Sequence, residues 1–293
     1  MYAFVNGEHK TKPMGINKRM RIGLEESTTS DKTFFTRDSA GKIRVGQMMK
    51  TKFQGEPKVA VVLPTYCEAE NIESLIQELQ KLKLNLLITI IDDSSPDGTA
   101  EIVEKLQEKH DNIILSIRPK KLGLGTAIIS AFRSILSLKN QPDYIITMDA
   151  DYSHNPQDIP RLIDVARSGY DLVIGSRYCE GGRIVGWHRM RWLISRVANL
   201  IASAIVGTRI RDCTSGLRCY SKRYVKNVLP NLHSQTYEIQ IETVKQAWLQ
   251  GFRVREFPIT FENRKRGKSK LTRAEVQCFL SYVIRSKIEG TNF

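Results

Sequence analysis

From residue 59 onward the chain alternates solid apolar runs with stretches of helical period, and this alternation constrains the fold more than any other feature. Residues 59–63, 86–91, 113–117, 144–148 and 172–174 read as strands. Between them, 72–82 (apolar at 72, 75, 76 and 79), 99–108, 127–138 and 158–166 read as helices. Strands with no polar alternation need cover on both faces, which a mostly parallel sheet flanked by helices supplies. Crossovers in such α/β sheets are right-handed, and ligands gather at the carboxyl ends of the strands. After Arg177 the pattern changes: 187–206 is a long amphipathic stretch, 237–249 a helix, 254–261 a strand and 272–288 a terminal helix.

Residues 1–55 show no sustained period and carry 11 Lys/Arg against 5 Asp/Glu, so they read as a basic N-terminal extension. The whole chain of 293 residues has a net charge of +14, which favours anionic partners such as nucleotide phosphates, nucleic acid or an acidic membrane face. Helix-turn-helix, zinc-finger and RNP signatures are missing, and the basic residues cluster with apolar ones; nucleic acid is not expected. Five widely spaced cysteines without a CxxC pair argue against a disulfide framework or structural zinc, and suit a reducing cytosol. The first thirty residues lack the apolar core of a signal peptide, and no window approaches the ~20 apolar residues of a spanning helix.

The unusual motifs fall at strand ends. "LPTYCEAEN" (63–71) brings Pro64, Tyr66 and Glu68 to the end of the first strand, able to clamp a base or ribose, or simply forming a capped loop into the helix. "IIDDSSPDGT" (90–99) places Asp92 and Asp93 at the end of the second, where acidic residues accept hydrogen bonds from nucleosides. The glycines of "RPKKLGLGTAI" (118–128) fit close helix packing and phosphate contact about equally. "ITMDADYSHNP" (146–156) is the sharpest signal, because it ends a buried strand in Asp149 and Asp151 around one alanine. Carboxylates are rarely buried without a partner, and residues i and i+2 of an extended chain share a side. One or two carboxylates plus a ligand phosphate suit Mg²⁺ or Mn²⁺.

Taken in order, "VVLPTYCEAEN", "IIDDSSPDGT", "LGLGTA", "MDADYSHNP", "VIGSRY", "TSGLRCYS" and "RGKSKL" resemble the family 2 glycosyltransferases, and within them the dolichol-phosphate (polyprenyl-phosphate) mannosyltransferase group. The resemblance covers 59–271 and implies a GT-A fold, a GDP-mannose donor, Mg²⁺ or Mn²⁺, and a dolichyl or polyprenyl phosphate acceptor. It implies donor contacts from Pro64, Tyr66, Glu68, Asp92, Asp93, Asp149, Ala150, Asp151, Arg264 and Lys270. Metal coordination falls to Asp149, Asp151 and Ser153, and acceptor-phosphate contacts to Arg177, Arg191 and Ser195. The catalytic set is Asp151, Arg177 and Arg264. Two residues depart from the family pattern: Cys67 stands where asparagine is usual, and Ser153 where some relatives have glutamine.

A phosphate monoester acceptor is already ionised near pH 7, so no general base is required, and His154 reads as a turn or supporting residue. The resemblance implies for the helix of Glu238, Gln240 and Glu242 a carboxylate acting as base toward sugar hydroxyls, a role that lapses with a phosphate acceptor. From residue 183 to 211 there are six arginines and no Asp, Glu or Lys, interleaved with Trp187, Trp192, Leu193, Ile194 and Leu200. That composition suits a helix lying on a membrane. The basic loop "NRKRGKSKL" (263–271) reads as a segment able to close over donor phosphates. The expected organisation is a basic extension (1–55), a catalytic domain (56–271) and a C-terminal helix near the membrane (272–293). The expected activity is inverting mannosyl transfer for glycan or glycolipid assembly, peripheral on the cytoplasmic face of a membrane, with a small anchoring partner left open. The competing readings are a UDP-sugar donor (glucose or GlcNAc) with the same mechanism, and a non-catalytic basic membrane- or nucleic-acid-binding protein.

Overall fold

A computed structural model describes residues 34–37, 43–46 and 58–264. The chain divides into two units, 1–48 and 49–293. In the first, β1 (Phe34–Arg37) pairs antiparallel with β2 (Ile43–Gly46), a segment to which the sequence pattern assigns no element. The expected terminal helix and Lys270 lie outside the described residues.

The second unit runs β3 (Val59–Thr65), α1 (Ile72–Lys81), β4 (Leu86–Asp92), α2 (Thr99–Gln107), β5 (Ile113–Ile117), α3 (Leu124–Leu136), β6 (Tyr144–Thr147), α4 (Asp158–Arg167) and β7 (Leu172–Ser176). It continues with β8 (Arg183–Val185), α5 (Arg189–Val206), β9 (Arg218–Ser221), α6 (Lys222–Val228), α7 (Ile239–Leu249), β10 (Val254–Pro258) and β11 (Thr260–Glu262). Seven strands form one sheet in the order β10-β7-β9-β6-β3-β4-β5, with only β9 antiparallel to its neighbours.

The period-two geometry of β3 divides its side chains between two cores. Val59, Val61 and Leu63 pack with Ile72, Leu75, Ile76 and Leu79 of α1 and with Ile159 and Leu162 of α4. Ala60 and Val62 pack on the opposite face with Ile128, Phe132 and Ile135 of α3 and with Tyr224, Ile241 and Val244 of α6 and α7. Each fully buried Leu, Ile or Phe contributes roughly 1.5–3 kcal/mol relative to exposure. The two covered faces are the arrangement that the unbroken apolar strands demand.

β9 was not foreseen, and its direction matters for the site. Because it runs antiparallel between β6 and β7, its amino end lies beside their carboxyl ends: Arg218 is in register with both Thr147 and Ile174. The loop entering β9 therefore reaches the strand ends that carry Asp149 and Arg177. Arg218 begins the strand fully buried, and Cys213 O, Ser215 O, Gln240 O and Thr243 Oγ1 accept its hydrogen bonds. The strand expected over 254–261 is divided. β10 stays in the main sheet, the buried Ile259 turns the chain, and β11 pairs in parallel with β8. This second, two-stranded sheet carries Phe261, Asn263 and Arg264 toward the same strand ends.

α5 begins at His188 as N-cap and stops at Gly207, whose φ of 72° is the left-handed conformation that closes a helix. It buries only Asn199, Ala202 and Val206. Met190, Trp192, Leu193, Ile194, Val197, Leu200 and Ile201 are exposed along it, Met190 by 67%.

Candidate active site

At the end of β6, Asp149 and Asp151 stand in different environments. Asp151 is buried; its Oδ1 accepts from Ser153 N (3.0 Å) and Ser153 Oγ (2.5 Å), and its Oδ2 is 2.9 Å from Arg264 Nη2. Asp149 keeps 40% of its side chain open, and its Oδ2 lies 3.3 Å from His154 Nε2. Desolvation acts to raise the Asp149 pKa, but the hydrogen bond and charge of His154 and the charges of Arg264 and Arg177 bring it below the ordinary carboxylate range. The His154 ring is buried edge-on to Phe261, at 5.2 Å between centroids, so it positions Asp149. Gly216 closes the other side: a Cβ there would meet the Asp149 oxygens at 2.9 and 3.0 Å.

This donor set fits a hard divalent cation of the kind held by one or two carboxylates together with ligand phosphates. A guanidinium already sits on Asp151, which shows the cation preference of the spot, and Asp149 stays ionised and open beside it. The described residues contain no cluster of three or more His, Cys, Asp or Glu around one point.

The acidic residues of the neighbouring strand are engaged within the protein. Asp92 is fully buried and accepts from Thr65 Oγ1 (2.8 Å), Ser95 N (2.8 Å) and Ser95 Oγ (2.6 Å). Asp93 pairs with Arg118 and accepts from Leu122 N (3.2 Å) and Gly123 N (3.3 Å). Glu68 accepts from Asn71 Nδ2 at 2.9 Å, while Pro64 and Tyr66 stay half-buried at the end of β3, with Lys121 Nζ 4.9 Å over the Tyr66 ring. The glycines of 122–125 serve packing. A Cβ on Gly123 would come within 2.5 Å of Gln235 O, and one on Gly125 would strike Ser234 O. Glu238 and Glu242 are spent on the same contact, accepting from the backbone of 233–236.

Arg177 ends β7 with its guanidinium buried against Asp212: Nε donates to Oδ2 at 2.8 Å and Nη2 to Oδ1 at 2.7 Å. Burial opposes both charges, yet the pair holds Arg177 more firmly protonated and Asp212 below the usual carboxylate range. Nη2 also reaches Thr214 Oγ1 (2.7 Å), which accepts from Asn199 Nδ2 (2.9 Å), and Asn199 Nδ2 donates in turn to Ser195 O (2.9 Å). Arg177 and Ser195 are thus joined through the loop that enters β9. Arg191 lies 4.1 Å over the Trp187 ring and donates to Asn263 Oδ1 at 3.1 Å. Burial lowers its pKa, and the neighbouring charges of Arg264 and Arg177 lower it further.

The structure therefore brings Asp149, Asp151, Ser153, Arg177, Arg191, Ser195 and Arg264 to one end of the sheet, with the buried Ala150 spacing the two aspartates. From the sequence, Asp212 and residues 214–216 stand equally open between the family's acceptor-side loop and a plain turn, and the structure makes them part of the site; sequence reasoning missed Asn199. For Asp212 one signal was available: it is the first acidic residue after the long arginine-only segment.

A mostly parallel seven-stranded sheet covered by helices on both faces, with paired carboxylates and arginines at its strand ends, has the architecture of the GT-A glycosyltransferases. Residues 60–229 match the family described as "Glycosyl transferase family 2", and the chain belongs to that family. It is 34% identical over 235 residues to a polyprenol monophosphomannose synthase of Mycolicibacterium smegmatis, covering 80% of this chain and 88% of that protein. It is 33% identical over 216 residues to an undecaprenyl-phosphate mannosyltransferase of Micrococcus luteus, covering 73% and 88%. Among solved structures it resembles glucosyl-3-phosphoglycerate synthase of Mycobacterium tuberculosis in complex with Mn²⁺, UDP-glucose and phosphoglyceric acid. That likeness has a TM-score of 0.56 at 17% identity, covers 80% of this chain and 79% of the other, and concerns the fold alone.

Proposed function

We propose that this glycosyltransferase moves mannose from GDP-mannose to a polyprenyl or dolichyl phosphate with inversion, making lipid-phosphate mannose for glycan or glycolipid assembly. The observation that carries the reading is the convergence of Asp149 and Asp151 with Arg177, Arg191 and Arg264 beside a helix with an exposed apolar face. Two anions have to meet at such a place, and one of them carries a long apolar tail. The names of the two mannosyl-transferring relatives support the same acceptor class.

A divalent cation, Mg²⁺ or Mn²⁺, held by Asp149 and Asp151 supplies Lewis-acid neutralisation of the charge on the departing diphosphate. Ser153, expected among the metal ligands, donates its N–H and Oγ–H to Asp151 and orients it in this reading, while His154 with Gly216 fixes Asp149. Arg264 balances charge on the donor phosphates, assisted by Lys270. Arg177 and Arg191 hold the acceptor phosphate with Ser195. An acceptor phosphate oxygen attacks the anomeric carbon, the bond from that carbon to the diphosphate breaks, and no proton has to move. Pro64, Tyr66 and Glu68 border the nucleoside, in a pocket shaped by Asp92 and Asp93. Catalysis belongs to residues 56–271.

No helix among the described residues is long and apolar enough to cross a membrane. The exposed apolar residues of α5, with its arginines, support a peripheral position on an anionic membrane, at the cytoplasmic face in this reading. The test is transfer of label from GDP-mannose to a polyprenyl phosphate, with and without Mn²⁺, beside Asp151→Ala. Organic-extractable product that needs metal and vanishes in the variant supports the reading. Product from UDP-glucose or UDP-GlcNAc alone overturns the donor and keeps the acceptor. No product from any donor, with the fold intact and membranes supplied, overturns the reading.

A further inference from the structure

Two buried donors on the groups packed around Arg177, Trp187 Nε1 and Arg196 Nη1, have no partner among the described residues, and the buried Tyr178 hydroxyl has Ser195 beside it. Leaving a buried donor unpaired costs about 1–3 kcal/mol, so the indole and guanidinium donors call for an acceptor group. The surrounding geometry is ordered. The Tyr178 ring lies between two guanidiniums, with Arg177 Cζ at 5.3 Å and Arg196 Cζ at 5.1 Å from its centroid. The Trp187 ring likewise has Arg177 at 5.7 Å and Arg191 at 4.1 Å. Stacking on aromatic faces holds guanidiniums in place without neutralising them.

Charge then indicates what the cluster takes. Arg177, Arg191 and Arg196 carry three positive charges, and Asp212 answers one, leaving two. On the donor side, Asp149 and Asp151 balance a divalent cation, and Arg264 faces the donor phosphates. Two uncompensated positive charges in a half-buried cleft match a phosphate monoester, which carries close to two negative charges at pH 7. A phosphodiester carries only one.

Resting on the reading above, we propose that Tyr178, Trp187 and Arg196 complete the acceptor's phosphate cradle and tune it to the monoester dianion. Transfer of the sugar turns that dianion into a singly charged diester, so the same cradle that captures the acceptor weakens its hold on the product.

The test uses the full chain and a short polyprenyl phosphate, with Arg196→Gln, Arg196→Lys and Tyr178→Phe. At pH 7.5, Arg196→Gln is expected to raise the acceptor KM about 10-fold and Tyr178→Phe about 3-fold, with the donor KM unchanged. Arg196→Lys, which keeps the charge, recovers part of the loss. At pH 5, below the second phosphate pKa of about 6, the Arg196→Gln penalty shrinks because the acceptor itself has lost a charge. A general structural defect would raise both KM values, lower the Tm and leave the penalty the same at both pH values; that result, or an unchanged acceptor KM, overturns the cradle. A wild type that glycosylates no lipid phosphate fails before any variant is compared, and overturns the acceptor reading and the cradle together.

Discussion

Arg177 and Asp212, 35 positions apart in the chain, form a two-bond ion pair at the end of β7, and the Arg177 backbone N–H donates to the same carboxylate at 2.9 Å. The pair aligns the guanidinium and ties it through Thr214 and Asn199 to α5. Removing one partner of a buried pair costs about 3–5 kcal/mol because the other charge is stranded. Asp212→Asn should therefore lower the Tm by roughly 5–15 °C. It should also reduce transfer about 100-fold at temperatures where the variant is still folded, because the proposed phosphate-binding group is misaligned. Calorimetry and a product assay check both. A variant that keeps wild-type Tm and turnover would remove the pair from the site.

The same pair makes stability depend on acid. Despite the burial that opposes it, Arg177 lowers the Asp212 pKa below its unfolded value of about 3.9. A depressed folded pKa means that the stabilisation is fully present above about pH 4 and is lost as pH falls through the folded value. Tm measured between pH 7 and pH 2.5 should fall more steeply below pH 4 in the wild type than in Asp212→Asn. Parallel curves would show that other carboxylates carry the acid sensitivity.

Gly216 tests the cation site without changing a charge. Its missing side chain lets the β9 loop lie on the Asp149 carboxylate, while Thr147 Oγ1 anchors the loop by donating to Gly216 O at 2.9 Å. In Gly216→Ala either the carboxylate or the loop must shift. The expected result is a 10- to 100-fold rise in the Mn²⁺ concentration for half-maximal transfer, as for other residues that orient metal ligands. Titrating Mn²⁺ at saturating donor decides it, and an unchanged midpoint would mean that the loop yields instead.

The parts legible in the sequence are those whose signal is local. The unbroken apolar strands announced a sheet covered on both faces, and Asp149 and Asp151 stood out because charge follows immediately on a buried run. β9 carried no such signal: it opens on an arginine, and an arginine becomes a buried residue only when the oxygens of Cys213, Ser215, Gln240 and Thr243 are assembled around it. Asp212 stayed open between a site loop and a turn for the same reason, since its partner comes from another strand end. The 254–261 strand was legible as strand, but its division at Ile259 depends on β8, which is distant in the chain. The glycines of 122–125 were ambiguous locally, and the loop at 234–235 accounts for them.

Cys67 holds a left-handed backbone, φ 56°, where the family pattern has asparagine. Asparagine tolerates that conformation better than other residues with a Cβ, which meet a steric cost of about 1–2 kcal/mol there. The loop is tied by Cys67 N–H donating to Ser95 Oγ at 2.9 Å, a bond that any side chain at 67 preserves. Cys67→Asn should raise stability by about 0.5–1 kcal/mol, read as a Tm gain of a few degrees. A fall in Tm would show that the thiol's own contacts outweigh the strain.

The exposed face of α5 gives the membrane prediction. Met190, Leu193, Ile194 and Val197 are between 44% and 67% exposed, with Arg189 and Arg191 exposed among them. A fully buried aliphatic side chain contributes about 1.5–3 kcal/mol, and each arginine near an anionic surface about 1 kcal/mol more. Ile194→Asp removes the first kind of contribution and adds repulsion, so binding to vesicles with 30% anionic lipid should weaken by about 10-fold or more. Arg189→Gln should weaken it only a few-fold and only at low salt, since that term is screened. Because Ile194 contributes no contact to either core, the Tm should not fall. Co-sedimentation of both variants at low and high salt separates the apolar from the ionic contribution. Equal binding of wild type and Ile194→Asp would place the membrane face elsewhere on the molecule.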